Sequence, residues 1–203
     1  MMEVTEDRKG SKTVYLELDI EEAIHRAELL LAGIDSGARN AVWDALRRAG
    51  DHGLTVGMKI VSEEYAIGQN ELKRRTRTIR RVKKGASGGY EVDFGYAGHV
   101  IPLLQFDTKI GSDGKVYSRV RRSNVRELIP QAFVARFKQR ATGIFVREST
   151  TRYPIHELFG PSAVAAFYEH EETVDKMEAE VQATFEKRLE HEITRILNGW
   201  GGR

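Results

Sequence analysis

The chain has 203 residues, with 32 Lys and Arg against 30 Asp and Glu, and its net charge of +2 points to no particular class of partner. It contains no cysteine, which excludes disulfides, thiol nucleophiles and cysteine-based zinc sites and is typical of a protein assembled in a reducing cytoplasm. No stretch approaches the ~18 consecutive apolar residues of a transmembrane helix, so we expect no membrane contact.

The first elements in chain order are a polar arm, a short strand and a helix. Residues 1–13 lack the apolar run of a secretory signal, and we predict a flexible N-terminal arm there. Alternating apolar residues over 14–18 predict a strand. Asp19, followed three residues later by Glu22, matches a capping box, so a helix is expected to begin here and to end near Gly33.

A long helix with an unusually small apolar face is predicted next, with Asp35 or Ser36 as its cap. Its apolar positions keep the three- and four-residue spacing of an amphipathic helix from Ala38 to Ile60. Ala and Gly dominate this face. The glycines at 50, 53 and 57 each cost about 1 kcal/mol relative to Ala in a helix interior. A kink and a tight helix contact both explain them, and the sequence does not choose.

The chain then changes from helix to strand. Residues 62–75 are expected to continue as helix with a break near Gly68, and residues 76–83 alternate loosely as a strand. The glycine-rich tract 85–89 predicts a turn. Residues 90–96 alternate aromatic or β-branched side chains with polar or small ones, which is the clearest strand pattern in the chain.

Four further strands are predicted in the middle of the chain. Two weaker ones cover 100–106 and 115–120, joined by a hairpin turn at 111–114. Two more are expected over 132–137 and 144–147.

Apolar residues at helical spacing predict a last helix over 169–198. The fold class is therefore α+β, with N-terminal helices, a central antiparallel β-sheet and a long C-terminal helix. We predict a single domain over 14–203, helical over 19–75, β-rich over 76–160, and completed by a C-terminal helical part over 161–199.

One segment concentrates positive charge and contains no acidic residue. Neutralising several phosphates with these side chains would give strongly salt-dependent binding to nucleic acid, although no aromatic residue is interleaved for base stacking. The eight basic residues are Lys73, Arg74, Arg75, Arg77, Arg80, Arg81, Lys83 and Lys84.

The alternative for this segment is an intersubunit strand. Between Glu169 and Glu192 the chain carries nine acids against three bases, so the basic segment of one copy could meet the acidic helix of a neighbour. Both interpretations remain open.

No catalytic or metal-binding pattern is present in the sequence. None of the six histidines belongs to a His-Glu-x-x-His motif, and Ser162 stands in Gly-Pro-Ser-Ala-Val without an acid–base partner suggested by spacing. We expect Ser162 in the first turn of a helix whose first residue is Pro161. We predict no enzyme activity, no cofactor and no metal.

A set of aromatic residues is expected to form the core of the sheet domain, and part of it could instead form a seam between subunits. These residues are Tyr90, Phe94, Tyr96, Phe133, Phe137, Phe145, Tyr153 and Phe159.

The order of short motifs from residue 129 to 164 resembles the minor tail protein Z family, the tail completion proteins of long-tailed bacteriophages. A Pro-Gln-Ala-Phe segment is followed by Phe-Val-Arg, then Arg-Tyr-Pro-Ile, then Leu-Phe-Gly-Pro-Ser. The motifs that are specific to the family lie in the last third of the chain. The N-terminal half resembles the family only in its general helical pattern. The motif residues are Pro130, Ala132, Phe133, Arg147, Arg152, Pro154, Ile155, Gly160 and Pro161.

The resemblance implies a non-enzymatic virion protein of the tail or neck, assembled in the host cytoplasm. It implies a ring of the chain's own copies, for which six-fold symmetry is one arrangement. The implied partners are tail terminator or tube proteins, head-connector proteins and the phage DNA that passes through the lumen. The small-residue helix and the last helix are expected to supply the ring contacts. The alternative function is a nucleic-acid-binding protein that uses residues 73–84.

Overall fold

The computed structural model describes residues 4–6, 12–16, 18–84, 90–136, 142–169 and 171–199. Its α-helices in this part of the chain are α1 (Glu21–Leu30), α2 (Gly37–Glu64), α3 (Gln69–Arg75), α4 (Ala163–Tyr168) and α5 (Glu171–Leu197). The strands are β1 (Val4–Glu6), β2 (Lys12–Tyr15), β3 (Thr76–Lys84), β4 (Tyr90–Gly98), β5 (Ile101–Pro102), β6 (Asp107–Ile110), β7 (Val116–Arg119), β8 (Glu127–Leu128), β9 (Ala132–Arg136), β10 (Thr142–Arg147), β11 (Ile155–Glu157) and β12 (Phe159–Gly160). The predicted α+β class is confirmed.

The long helices α2 and α5 form an antiparallel pair at the centre of the molecule. A Cβ built on Gly53 would lie 2.2 Å from Val181 Cγ2, and one built on Gly57 would lie 2.6 Å from the sulfur of Met177. These distances leave no room for a side chain without a shift of the neighbour. The glycines therefore mark a close helix contact, which is one of the two explanations that the sequence left open.

A four-stranded antiparallel sheet with the order β1-β2-β4-β3 packs against α2. A Cβ at Gly50 would meet the ring of Phe94 at 2.7 Å, and the Tyr96 hydroxyl donates to the Gly50 carbonyl at 3.1 Å. Phe167 of α4 packs edge-on against the Tyr96 ring. Burial raises the pKa of the Tyr96 phenol above its ordinary value, so the hydroxyl stays protonated and keeps its hydrogen bond.

Three smaller antiparallel sheets have the strand orders β6-β7-β8, β11-β10-β9 and β12-β5. They connect to the helices through the segment after α2, where Tyr65 and Ile67 form isolated bridges with Arg121 and Phe106. The Tyr65 hydroxyl donates to the carboxylate of Glu169, and Arg121 lies 3.3 Å from the same carboxylate. This cluster joins the end of α2, the chain after β7 and the junction between α4 and α5.

The sheet β6-β7-β8 has an acidic centre at Asp107. This carboxylate accepts hydrogen bonds from Arg126 at 2.7 Å and from Arg119 at 2.6 Å. The hydrogen bond from Arg126 holds the pKa of Asp107 below its ordinary value, and Arg119 acts in the same direction. Because the folded pKa lies below the unfolded one, these bonds stabilise the fold above pH ~4, and this stabilisation is lost as the pH falls through the folded pKa.

We therefore expect Asp107→Asn to flatten the dependence of the melting temperature on pH below about pH 5. Thermal melts of both proteins at a series of pH values measure this. The effect is modest because the carboxylate is partly exposed. Parallel pH profiles for the two proteins would show that Asp107 does not contribute in this way.

Several boundaries differ from the sequence prediction. The N-cap of α1 is Ile20 rather than Asp19, because the first backbone hydrogen bond of the helix runs from the Ile24 amide to the Ile20 carbonyl. No side chain caps this helix, so the predicted capping box is not formed. The predicted strand over 100–106 is wrong beyond Pro102. There the chain forms a 3-10 helix at Leu103–Gln105, in which the Phe106 amide donates a hydrogen bond to the Leu103 carbonyl.

The C-terminal helical part is divided into α4 and α5. The Ser162 side chain accepts a hydrogen bond from the amide of Ala165 at 2.9 Å, so Ser162 is the N-cap of α4. Pro161 therefore lies before the cap, and the prediction that it is the first helical residue is wrong. The predicted last helix over 169–198 agrees with α5 at both ends to within two residues.

Parts of the predicted flexible arm lie in strands. Glu6 lies opposite Lys12, and Val4 lies opposite the buried Val14, in an antiparallel pair at one edge of the large sheet. Residues 4–6 and 12–13 of the predicted arm over 1–13 thus lie in strands, and the arm itself stays a prediction. Residues 1–3 and 7–11, the predicted turn at 85–89 and Phe137 lie outside the described residues. The division into a single domain stays a prediction.

The aromatic set is only partly buried. Phe94, Tyr96 and Phe145 are buried, and Phe133 is half-buried against Phe145. The core assignment is wrong for Tyr153 and Phe159, whose exposed fractions are 61% and 47%. The side chain of Tyr90 is outside the described part.

Candidate interaction surface

The basic segment spans two elements and one sheet edge. Lys73, Arg74 and Arg75 form the last turn of α3, and the remaining five cations lie on β3. In the part of the sheet that the structure describes, β3 has a strand neighbour on one side, β4. A charged edge strand of this kind resists pairing with other strands at random, because pairing would bring unmatched charges together.

The alternation of β3 separates its cations onto two faces. Arg80 points toward α2, where it lies 3.1 Å from the Asp51 carboxylate and donates to the Arg47 carbonyl at 3.1 Å. Arg77, Arg81 and Lys83 lie on the opposite face, which we call the outer face. Arg80 therefore holds the sheet to α2. The side chain of Lys84 is outside the described part.

The outer face also carries acidic residues on the neighbouring strand. Arg81 lies directly opposite Asp93, and Lys83 lies opposite Glu91. Opposite charges at such positions attract each other across the strands. Arg77 differs, because its partner in the register is Ala97.

At the end of α3, one carboxylate orders two arginines. Glu71 accepts from Arg75 Nε at 2.9 Å, and a terminal nitrogen of Arg74 lies 3.8 Å from its other oxygen. Lys73, Arg77, Arg81 and Lys83 have no ion pair among the described residues. The surplus of positive charge is thus greatest where α3 meets β3.

The acidic face of α5 is partly occupied by bases of its own chain. Glu190 pairs with Arg26 of α1 at 2.5 Å, and Glu180 lies 3.1 Å from the ring of His52 of α2. The fully buried Glu192 lies 3.8 Å from Arg48 of α2 and pairs with Arg195 of its own helix at 2.6 Å. These acids hold the helices together within one chain, which leaves fewer of them for a neighbour's basic segment.

The motif residues of the last third fall into two groups. Phe133 on β9 lies under the guanidinium of Arg147 on β10 at 4.8 Å, and Arg147 donates to the Arg152 carbonyl at 2.6 Å. On the two strands beside β10, Ala132 lies opposite Val146 and Ile155 lies opposite Arg147. The peptide bond before Pro154 is cis. These residues set the geometry of the sheet β11-β10-β9.

The second group lies at the entrance to α4. Gly160 packs against Phe106, whose ring a Cβ would meet at 2.5 Å, and Pro161 leads into the Ser162 cap. Pro130 is exposed before Gln131, whose φ is +59°. The structural role of the motif residues stays a prediction.

Sequence reasoning missed two clusters that the fold assembles. One consists of Tyr65, Arg121 and Glu169, and the other centres on the buried Glu192. Tyr65 and Glu169 are 104 positions apart, so no local pattern could link them. Glu192 has the helical spacing of the apolar stripe, which is the signal that could have marked it as buried.

In the described part of the chain, no group of three or more His, Asp or Glu residues could hold a metal ion. No helix among these residues is long and apolar enough to cross a membrane.

Comparison with known proteins identifies the class of protein to which this fold and its charged surface belong. The model of the family described as prophage minor tail protein Z (GPZ) matches residues 20–199, from the start of α1 to the end of α5, and the chain belongs to this family. It is a phage minor tail protein, a structural component of the tail and hence of the virion. No curated protein and no solved structure matched the chain.

Proposed function

We propose that the chain completes the head-proximal end of a phage tail and takes part in joining the tail to the filled head around the DNA channel. The observation that supports this is the family match, which covers both long helices, the large sheet and the motif-bearing last third. The proposed role is non-enzymatic and consists of holding larger parts in register.

The proposed assembly is a closed ring of copies held by heterologous contacts. The expectation that α2 and α5 supply these contacts changes, because the small-residue face of α2 packs against the apolar face of α5 within one chain. Other apolar side chains are available on the surface around α1 and the start of α2. Those with the largest exposed fractions there are Leu29, Leu30, Ile34 and Trp43.

A second candidate function is nucleic-acid binding through residues 73–84. The outward direction of Arg77, Arg81 and Lys83 supports it. The two functions are compatible if the same face meets DNA in the channel. As a regulator, however, the chain would act outside the particle.

We expect a phage that lacks this chain to accumulate DNA-filled heads and separate tails. Negative-stain imaging of lysates with and without a complementing copy measures this. Complementation with the Gly68→Ala protein, a change in open space, serves as the control for expression of a variant. Normal joined particles without the chain would contradict the proposal. A normal ratio of joined particles to separate heads and tails, with a changed total number of particles, would favour a regulator.

A further inference from the structure

A small cleft on the outer face lies where α3 meets the large sheet. Its volume is about 180 Å³, and its lining consists of Arg74, Arg75, Thr76, Arg77, Ala97, Gly98 and His99. No carboxylate is among the described residues that line it. Three arginines and a histidine therefore line the cleft together with three small residues, Thr76, Ala97 and Gly98.

The sheet register explains why these cations converge. Arg77 lies opposite Ala97, and Thr76 lies opposite Gly98, so Arg75 and His99 flank the ends of the same two strands. Alternation places Arg77 and Ala97 on one face, while Thr76 is buried on the other. The small lining residues leave the space open.

The cleft is the point of highest surplus charge in the basic segment. Arg80 is engaged by Asp51, and Arg81 and Lys83 lie opposite acidic residues on β4. At the cleft, Glu71 orders Arg75 and approaches Arg74, while Arg77 has no ion pair among the described residues. Three arginines against one carboxylate leave a surplus of positive charge at the cleft.

We propose that this cleft is a phosphate-binding site formed by Arg74, Arg75, Arg77 and His99. Guanidinium groups fit phosphate because their planar N–H donors pair with two oxygens at once. The phosphate group comes from the backbone of duplex DNA or from free phosphate. That DNA supplies the phosphate group rests on the proposed function, whereas the phosphate site itself rests on the residues that line the cleft.

The outer face continues from the cleft as a row that includes Arg81 and Lys83. From Arg77 to Lys83 the row is about 20 Å long at ~3.3 Å per residue. A duplex aligned with it presents one phosphate per ~3.4 Å of axis on each strand. The cleft then anchors one phosphate of a backbone that passes along the row, and the row contributes less because its charges are offset by Asp93 and Glu91.

The test compares two double variants of the full chain that each remove two positive charges. Arg74→Ala with Arg77→Ala removes two of the three arginines of the cleft, and Arg81→Ala with Lys83→Ala changes the outer face beyond it. Fluorescence anisotropy with a labelled duplex of arbitrary sequence is measured over a series of salt concentrations. We expect the cleft variant to bind at least ~10-fold more weakly and to lower the salt slope by about 2, and the control to change affinity less than ~3-fold.

Free phosphate is the second probe. Titration of the isotopically labelled wild-type chain with inorganic phosphate should shift the His99 ring signals, and the cleft variant should lose this shift. A response to inorganic phosphate without duplex binding supports the site and assigns it to free phosphate. Arg77→Lys, which keeps the charge and loses the planar fork, should fall between wild type and Arg77→Ala. Thermal melts establish that each variant is folded.

Equal loss of duplex binding in the two double variants would overturn the proposal, as would a wild-type chain that binds neither probe. These measurements use the isolated chain and no particle, so they do not depend on the assembly role. Phosphate binding by a chain that is absent from particles would contradict the proposed function and leave the cleft in place.

Discussion

Replacing Gly53 by alanine is expected to destabilise the fold by about 1–3 kcal/mol, although Ala normally favours a helix over Gly. The added methyl group would lie 2.2 Å from Val181 Cγ2 and 2.7 Å from the Tyr96 hydroxyl oxygen. Both neighbours are fully buried, so relief requires movement of α5 or loss of the Tyr96 hydrogen bond. Chemical denaturation monitored by circular dichroism measures the change in unfolding free energy.

Two comparisons make this prediction sharp. Gly68→Ala adds the same methyl group in open space at a negative φ, and we expect a change within about 0.5 kcal/mol. Gly57→Ala should cost less than Gly53→Ala, because the atoms that it meets belong to the flexible side chain of Met177. A Gly53→Ala protein as stable as wild type would show that α2 and α5 do not approach this closely.

Phe185→Ala should produce the largest single loss of stability, about 3–5 kcal/mol. Phe185 is completely buried on α5, between the Val181 contact with Gly53 and the Glu192 pair with Arg48. Between those two contacts α2 contributes the small residues Ala49 and Gly50, which leave room for a large side chain on α5. Removing the ring leaves a cavity that rigid helices cannot close.

The matched control for Phe185→Ala is Glu186→Ala, on the next residue of the same helix. Glu186 is exposed and hydrogen-bonded to the neighbouring Gln182, so its loss should change the unfolding free energy by less than about 0.5 kcal/mol. Denaturation midpoints of the two variants provide the comparison. Equal effects would mean that α5 does not pack through the Phe185 face.

Local periodicity was enough to predict the class and the long elements of the fold. The apolar spacing of α2 and α5 and the alternation of β4 are strong signals because each depends on one side of one element. The strand β6 is harder to predict, since Asp107–Ile110 is largely polar and gains its place by pairing with β7. The 3-10 turn at Leu103–Gln105 likewise follows an apolar run that reads as a strand.

Contacts between elements that are far apart in the chain could not be predicted from the sequence. The glycines of α2 predicted either a kink or a contact, and the partner that decides between them, Val181, is far along the chain. The same holds for the basic segment. Eight cations within twelve residues predicted a segment that contacts DNA or another subunit. The sequence did not show that strand alternation turns Arg80 toward Asp51 and leaves the surplus of positive charge at the cleft beside Arg77.

A cryo-electron microscopy map of the complete virion, at a resolution that traces helices, tests the proposed position of the chain most directly. We expect density for the antiparallel α2–α5 pair, repeated around the channel at the head-proximal end of the tail. Density for this chain elsewhere in the particle, or an intact head–tail junction from which it is absent, would show that the chain does not complete the tail at this end.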